Sequence, residues 1–221
     1  MTPRRHRLPP LRDGRGRLRR GRFVVLEGLD GAGTTTQAAA LARALRERGD
    51  RVHTTCEPST GPVGALLRQA LTGRLTGHGQ PVDRTTLALL FAADRADHVA
   101  QEIVPALEAG ATVLCDRYVL SSIAYQGLDL PFDEVVALNA HAPAPDLTLF
   151  LDVPPRVAQK RRAQSRGRDE LFDALALQRR VDRNYRRAIA HGLHGGPVSL
   201  IDGARPVDEV TAALRLAIEA L

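Results

Sequence analysis

Two hydrophobic rhythms alternate along this chain. Short apolar runs at Phe23–Glu27, Arg51–Cys56, Thr112–Cys115, Leu147–Asp152 and Ser199–Ile201 read as strands. Between them lie longer stretches with helical spacing: Thr35–Arg48, Pro62–Leu71, Arg84–Ala109, Ser121–Tyr125, Phe132–Ala140, Pro155–Ala163, Leu171–His191 and Val207–Ala220. Strands separated by helices pair through crossovers rather than hairpins, which predicts an α/β fold: a five-stranded parallel sheet with helices on both faces. In such sheets ligands sit beyond the carboxyl ends of the strands, and the candidate functional residues cluster there. No internal repeat is visible. The polar, Arg/Gly-rich segment Gln164–Glu170 falls between two helices, as a mobile lid would, and the lid is placed at about residues 161–170.

Composition changes this picture in one place. The chain of 221 residues carries a formal charge of +6. Residues 1–22 hold nine arginines and one aspartate, a net of +8, which leaves −2 on the rest. The basic character is therefore confined to a tail rich in Arg, Pro and Gly, read as a disordered extension. Residues 23–221 read as a single domain. Nucleic acid is a candidate partner only through that tail. No apolar run is long enough to span a bilayer and no signal-peptide core follows the basic start, so the expectation is a cytoplasmic protein without a membrane partner. Cys56 and Cys115 form no metal-ligand pattern and are expected to be buried, reduced thiols.

Candidate chemistry begins at Gly28-Leu29-Asp30-Gly31-Ala32-Gly33-Thr34-Thr35. This matches the phosphate-binding pattern Gly-x-x-x-x-Gly-Lys-[Ser/Thr] except that Thr34 stands in the lysine position. A strand before it and a helix after it give the motif its required context. The glycines let backbone N–H groups turn toward phosphate oxygens, and the helix start adds a positive dipole end. Thr35 occupies the position whose hydroxyl reaches Mg²⁺. Thr34 can donate one hydrogen bond but brings no charge. A second cluster follows a strand end: Cys115-Asp116-Arg117-Tyr118, then Ser121-Ser122 and Tyr125-Gln126-Gly127. Here the carboxylate can hold a metal and the guanidinium can grip a phosphate. A third lies in a helix, where Phe91 and Arg95 share a face at i, i+4 and can stack on a base and donate to its edge. Taken singly, these segments also admit a glycine turn that binds nothing, a structural Asp116–Arg117 ion pair and a core ring at Phe91.

Together, Glu-Gly-Leu-Asp-Gly-x-Gly, Phe-Ala-Ala-Asp-Arg and Asp-Arg-Tyr-x-x-Ser-Ser-x-Ala-Tyr-Gln-Gly resemble the thymidylate kinases over nearly all of residues 23–221. The resemblance implies the fold of the phosphate-loop nucleoside monophosphate kinases and phosphorylation of dTMP by ATP with Mg²⁺. It also implies a homodimer. Gly28 to Thr35 would wrap the ATP phosphates. Asp30 would sit between donor and acceptor as a base or metal-orienting group. Glu57 would lie on the acceptor side. Phe91 would stack on thymine and Arg95 would bond its O4. Thr35 and Asp116 would serve the metal, and Arg117 would hold the dTMP phosphate. Ser122 and Gln126 would lie near the base, and Tyr125 would crowd the sugar 2′ position.

One branch of the family carries an arginine at the loop position held here by Gly31, and the other supplies arginines from the lid. Gly31, together with Arg161, Arg162, Arg166 and Arg168, resembles the lid-arginine, bacterial type, with Arg166 and Arg168 as the catalytic candidates. For any one of these arginines a solvated position is the alternative. Two departures remove cations: Thr34 for the loop lysine, and Cys56 where the family usually has arginine before Glu57-Pro58. The alternative function is a nucleotide-binding regulator of the same fold with little or no kinase activity. A related kinase with another deoxynucleotide substrate is a third.

Overall fold

Each of the six residues of β1 (Phe23–Gly28) is buried. Successive strand residues face opposite sides, so a strand buried throughout must be covered on both. The computed structural model, which describes residues 21–166, 171–193 and 196–221, shows why. Among these residues, β1 is the middle strand of a parallel sheet that also contains β2 (Val52–Cys56), β5 (Thr112–Asp116), β6 (Leu147–Asp152) and β7 (Val198–Asp202), in the order β2-β5-β1-β6-β7. Helix α1 (Thr34–Glu47) packs with α9 (Val207–Glu219), and α5 (Val119–Gln126) packs with α8 (Leu171–Ala190). The α1 stripe Leu41, Ala42 and Leu45 joins Val25, Val113 and Leu149 in one core. The predicted α/β class and parallel sheet are thus observed.

The order places β5 and β6 on either side of β1. Their carboxyl ends therefore flank the glycine loop, the crevice that such a sheet offers a ligand. To one side of it, α3 (Arg84–His98) packs with α2 (Pro62–Leu71), with α5 and with α6 (Phe132–Leu138).

Several expectations are corrected. The predicted helix 84–109 is not uniform: α3 passes through a π turn, Val99–Ile103, into α4 (Val104–Glu108). Pro105 lies in the first turn after it, where its missing N–H falls at a break in the helical ladder. Helix α7 runs Pro155–Arg166, so Gln164 to Arg166, assigned to the lid, form its last turn. Only from Gly167 does the sequence contain a residue that weakens a helix. A short ladder, β3 (Thr76–Gly77) with β4 (Gln80–Pro81), was not anticipated. His78 and Gly79 turn it with φ of 52° and 75°, both left-handed as a tight hairpin turn demands. Gly21 and Arg22, assigned to the tail, belong to the fold: the Gly21 N–H reaches the Leu107 carbonyl at 2.9 Å and the Arg22 carbonyl accepts from Val113 at 2.8 Å. The disorder expected of the preceding residues lies outside the described residues. Cys115 is buried as expected, but Cys56 is exposed at the end of an edge strand.

Candidate active site

The turn between β1 and α1 is a backbone cradle. Gly31 and Gly33 have φ of 88° and 96°, which an L side chain rarely tolerates. A Cβ on Gly31 would also lie 2.2 Å from the Ala158 carbonyl oxygen. The loop is thus packed against α7 without room for a side chain at that position. No side chain caps the start of α1, and no acidic residue occupies its first turn. Its leading N–H groups therefore carry no competing carboxylate, which suits an anion. Thr34 is buried at the helix start. The Thr35 hydroxyl donates to Asp116 Oδ2 at 2.5 Å, while Asp116 Oδ1 is buried with no partner among the described residues. An orphaned carboxylate oxygen beside a hydroxyl is a hard-oxygen pair that fits a divalent cation with part of its water shell.

Arg117 leaves the end of β5 in a left-handed backbone conformation, with φ of 71°. A non-glycine residue there is strained, and such strain concentrates at sites. The conformation directs Arg117 Nη2 to Asp30 Oδ1 at 2.7 Å, and the same oxygen accepts from the Tyr125 hydroxyl at 3.0 Å. Burial alone would lower the pKa of Arg117, but Tyr125, Tyr185, Asp30 and Glu27 around it outweigh that and raise it. Arg117 is a fixed cation.

Beyond it opens a cavity of about 660 Å³. Asp30, Arg117, Ser122, Tyr125 and Gln126 line it, and Phe91 and Arg95 line it from α3. Phe91 is only half-buried, so the core reading of its ring gives way to one with a face on the cavity. Arg95 is fully buried. Its Nε and Nη2 bond Glu57 Oε2 at 2.8 and 2.5 Å, Nη2 also reaches Ser122 Oγ at 3.0 Å, and Nη1 donates to Asn139 Oδ1. Burial would lower its pKa, but the Glu57 charge prevails and raises it. Glu57, predicted to meet the substrate, lines the cavity but commits its oxygens to Arg95 and His98. It therefore fixes the Arg95 guanidinium. Gln126 Oε1 is a buried acceptor with no partner among the described residues.

The predicted site residues thus converge, except in the lid. Arg161 donates to the carbonyls of Gly203 at 2.9 Å and Ala204 at 3.2 Å, tying α7 to the turn after β7. Arg166 ends α7. Arg168 lies outside the described residues.

Sequence reasoning gave no role to Glu27, Asn139, Tyr185 or Gln178, whose Nε2 donates to the Asp30 carbonyl at 3.4 Å. A carboxylate within an otherwise apolar strand was the available signal for Glu27. Asn139, Gln178 and Tyr185 carried none, because polar residues are ordinary in surface helices. Glu27 accepts from the Tyr118 and Ser121 N–H groups at 2.9 and 3.0 Å, from Ser121 Oγ at 2.5 Å and from the Tyr185 hydroxyl at 3.2 Å. It thereby holds the start of α5 against the phosphate loop. Burial pushes its carboxyl from the ordinary 4.5 up to about 7, against the lowering effect of Ser121 and Arg117. Between those values the folded protein keeps a proton that the unfolded chain has released. The contribution to stability is therefore full below pH 4.5 and is lost as pH rises through 7. About 3 kcal/mol is at stake for a shift of this size. Glu27→Gln is expected to remove this part of the pH dependence, read as the difference between variant and unaltered protein in urea midpoints at pH 5 and pH 7.5. Parallel pH slopes would contradict it.

Among the described residues, no group of three or more His, Cys, Asp or Glu side chains could hold a metal by itself, and no helix is long and apolar enough to cross a membrane. The sequence model of a family described as thymidylate kinase matches residues 26–214. A probable thymidylate kinase of Pyrococcus abyssi is 46% identical over 170 residues, covering 75% of this chain and 82% of that protein. One from Pyrobaculum calidifontis is 45% identical over 201 residues, 89% of this chain and 95% of its own length. The thymidylate kinase of Bordetella petrii is 41% identical over 209 residues, 91% and 97%.

Proposed function

This chain belongs to the thymidylate kinase family, and from that premise we propose that it transfers the γ-phosphoryl group of ATP to dTMP with Mg²⁺, giving ADP and dTDP. The observation that carries this reading is the shared cavity: Phe91 and Arg95 open on the same space as Asp30 and Arg117, next to the Gly28–Thr35 cradle. Base recognition and phosphate handling are within reach of one nucleotide.

In this reading Phe91 stacks on thymine and Arg95 donates to O4. The thymine N3–H is a donor, and the unpartnered Gln126 Oε1 is an acceptor for it, with Ser122 holding Arg95 beside the base. Tyr125 packs where a 2′-hydroxyl would project. Arg117 holds the acceptor phosphate. An oxygen of that phosphate attacks the γ-phosphorus, the bond to the bridging oxygen breaks, and ADP leaves. Such a displacement depends on positioning and charge neutralisation. Leu29 and the glycines Gly31 and Gly33 offer backbone N–H groups to the donor phosphates, while the Ala32 N–H closes the turn on the Leu29 carbonyl at 2.9 Å. Asp30 stands between donor and acceptor as base or metal-orienting group. Thr35 and Asp116 would hold Mg²⁺, whose charge would screen the donor phosphates.

Gly31 has no room for the arginine that one branch of the family carries there, which supports the lid-arginine type. Arg166 and Arg168 are the cations we assign to the transferring phosphate, and they offset in part the charge missing at Thr34. The basic tail is the one candidate contact for nucleic acid. A cytoplasmic homodimer is the expected state, with Leu66 and Leu89 exposed on the packed pair α2 and α3.

A coupled steady-state assay tests the proposal. Turnover of dTMP is expected with ATP, abolished without Mg²⁺, and far weaker with UMP or dCMP. Retained dTMP affinity with no turnover would replace this reading with that of a nucleotide-binding regulator.

A further inference from the structure

Behind the arginine that faces the base lies a second tier of polar groups with no assigned role. His98 is buried, one turn beyond Arg95 on α3. Its Nδ1 lies 3.3 Å from Glu57 Oε1, and its Nε2 lies 2.7 Å from Thr55 Oγ1 and 3.5 Å from Glu102 Oε2. Glu102 in turn meets His53 Nε2 at 2.8 Å. The π turn begins at Val99, directly after His98, and Glu102 lies within it. Such turns recur at functional sites, because the extra residue redirects side chains that a regular helix would aim elsewhere.

Hydrogen-bond accounting fixes one proton. A carboxylate oxygen only accepts, so the His98–Glu57 contact requires the proton on Nδ1. Glu57 Oε2 already takes two bonds from Arg95, so Oε1 is the oxygen left to steady. The carboxylate is therefore held from both ends: Arg95 at one oxygen, His98 at the other. Without the second hold, Glu57 can rotate about its terminal torsion, and the guanidinium loses its fixed plane.

We propose that His98 is a positioning residue for dTMP binding: through Nδ1–H it locks Glu57, which aims Arg95 at the base, and the Thr55 hydroxyl, donating to Nε2, locks the ring from the other side. This deepens the assignment of dTMP as acceptor and rests on it. His98 touches neither the phosphate loop nor the reacting groups. Its removal therefore acts on acceptor affinity and leaves the donor side alone.

Two isosteric substitutions separate a positioning role from a merely structural one. An asparagine amide nitrogen falls where Nδ1 stands, and a glutamine amide nitrogen falls where Nε2 stands. In calorimetric titrations with dTMP, His98→Asn is expected to keep Kd within about threefold, because it preserves one buried hydrogen bond to a carboxylate. His98→Gln and His98→Leu are expected to weaken dTMP binding about tenfold, the smaller end of what losing such a bond costs. The KM for ATP and kcat at saturating dTMP should stay within twofold. Thr55→Val leaves the core untouched and is expected to weaken dTMP binding about threefold, so the proposal stays testable if the leucine variant fails to fold. Nitrogen-15 spectra of the unaltered protein should show His98 protonated at Nδ1. Equal dTMP affinity in the asparagine and leucine variants, a parallel shift in the KM for ATP, or an unprotonated Nδ1 would each overturn the inference. Failure of the unaltered protein to bind dTMP would instead sink the assignment of the acceptor.

Discussion

Arg95→Met is expected to lower the melting temperature by roughly 10 °C and to weaken dTMP binding by about two orders of magnitude. Arg95 is 1% exposed and its partner Glu57 is 5% exposed, so neither charge can turn to water when the other is removed. Breaking a buried pair from one side costs about 3–5 kcal/mol, because the remaining charge is left uncompensated. In a domain of this size each kcal/mol moves the midpoint by about 2–4 °C. Methionine keeps most of the side-chain volume, so a cavity adds little. The loss of binding has a separate origin. Without the guanidinium the donor proposed for the base O4 is gone, and a site built to hydrogen-bond a ligand discriminates strongly once that bond is lost. A double substitution separates the two effects. Glu57→Gln added to Arg95→Met removes the stranded carboxylate and should restore most of the lost stability, while dTMP binding stays weak. The measurements are thermal melts and calorimetric titration of the four proteins of the cycle. A single variant melting within 2 °C of the unaltered protein would show that the pair is not the buried, dry contact described above.

Thr34→Lys is expected to raise kcat by about 10²–10³, the value of one oriented cation or donor at a developing charge, about 3–4 kcal/mol. The substitution completes the phosphate-loop pattern. Gly33 before it has open space, since a Cβ there would meet nothing within 4 Å. Thr34 is itself buried at the start of α1, so the lysine stem must run out along the loop, toward the place proposed for the donor phosphates. The KM for dTMP should stay within about threefold, because Thr34 is not among the residues lining the acceptor cavity. Steady-state assays on both proteins decide the point. A gain below threefold would mean that the loop is rebuilt around threonine and that charge from elsewhere already does the work of the lysine.

Local features were legible from the chain. The strand Phe23–Gly28, the glycine turn and α1 follow one another because apolar alternation, positive φ and helix propensity all act over a few residues. The same holds for the i, i+4 spacing of Phe91 and Arg95 and for the polar cluster from Asp116 to Gln126. Less local features escaped. The π turn depends on where Pro105 falls within a longer helix, the β3–β4 ladder is too short for any periodicity, and the last turn of α7 differs from a loop only by the absence of a breaker. The buried-thiol expectation failed at Cys56 because its strand lies at the sheet edge, and strand order is not written in any one segment.

The sequence by itself determined the alternation of the five sheet strands with helices, the parallel sheet and the motifs that carry the family resemblance, because each rests on spacing within a window of a few turns. Only the tertiary structure decided which charges meet. Arg95 reaches Glu57 across 38 residues, Arg117 reaches Asp30 across 87, and Tyr185 reaches Glu27 across 158. Those pairings follow from the strand order β2-β5-β1-β6-β7 and from burial, which sets how strongly each charge needs its partner. The lone carboxylate of β1, the arginine bound to the turn after β7 and the histidine behind Glu57 took on their roles only when the sheet brought distant segments to its carboxyl edge.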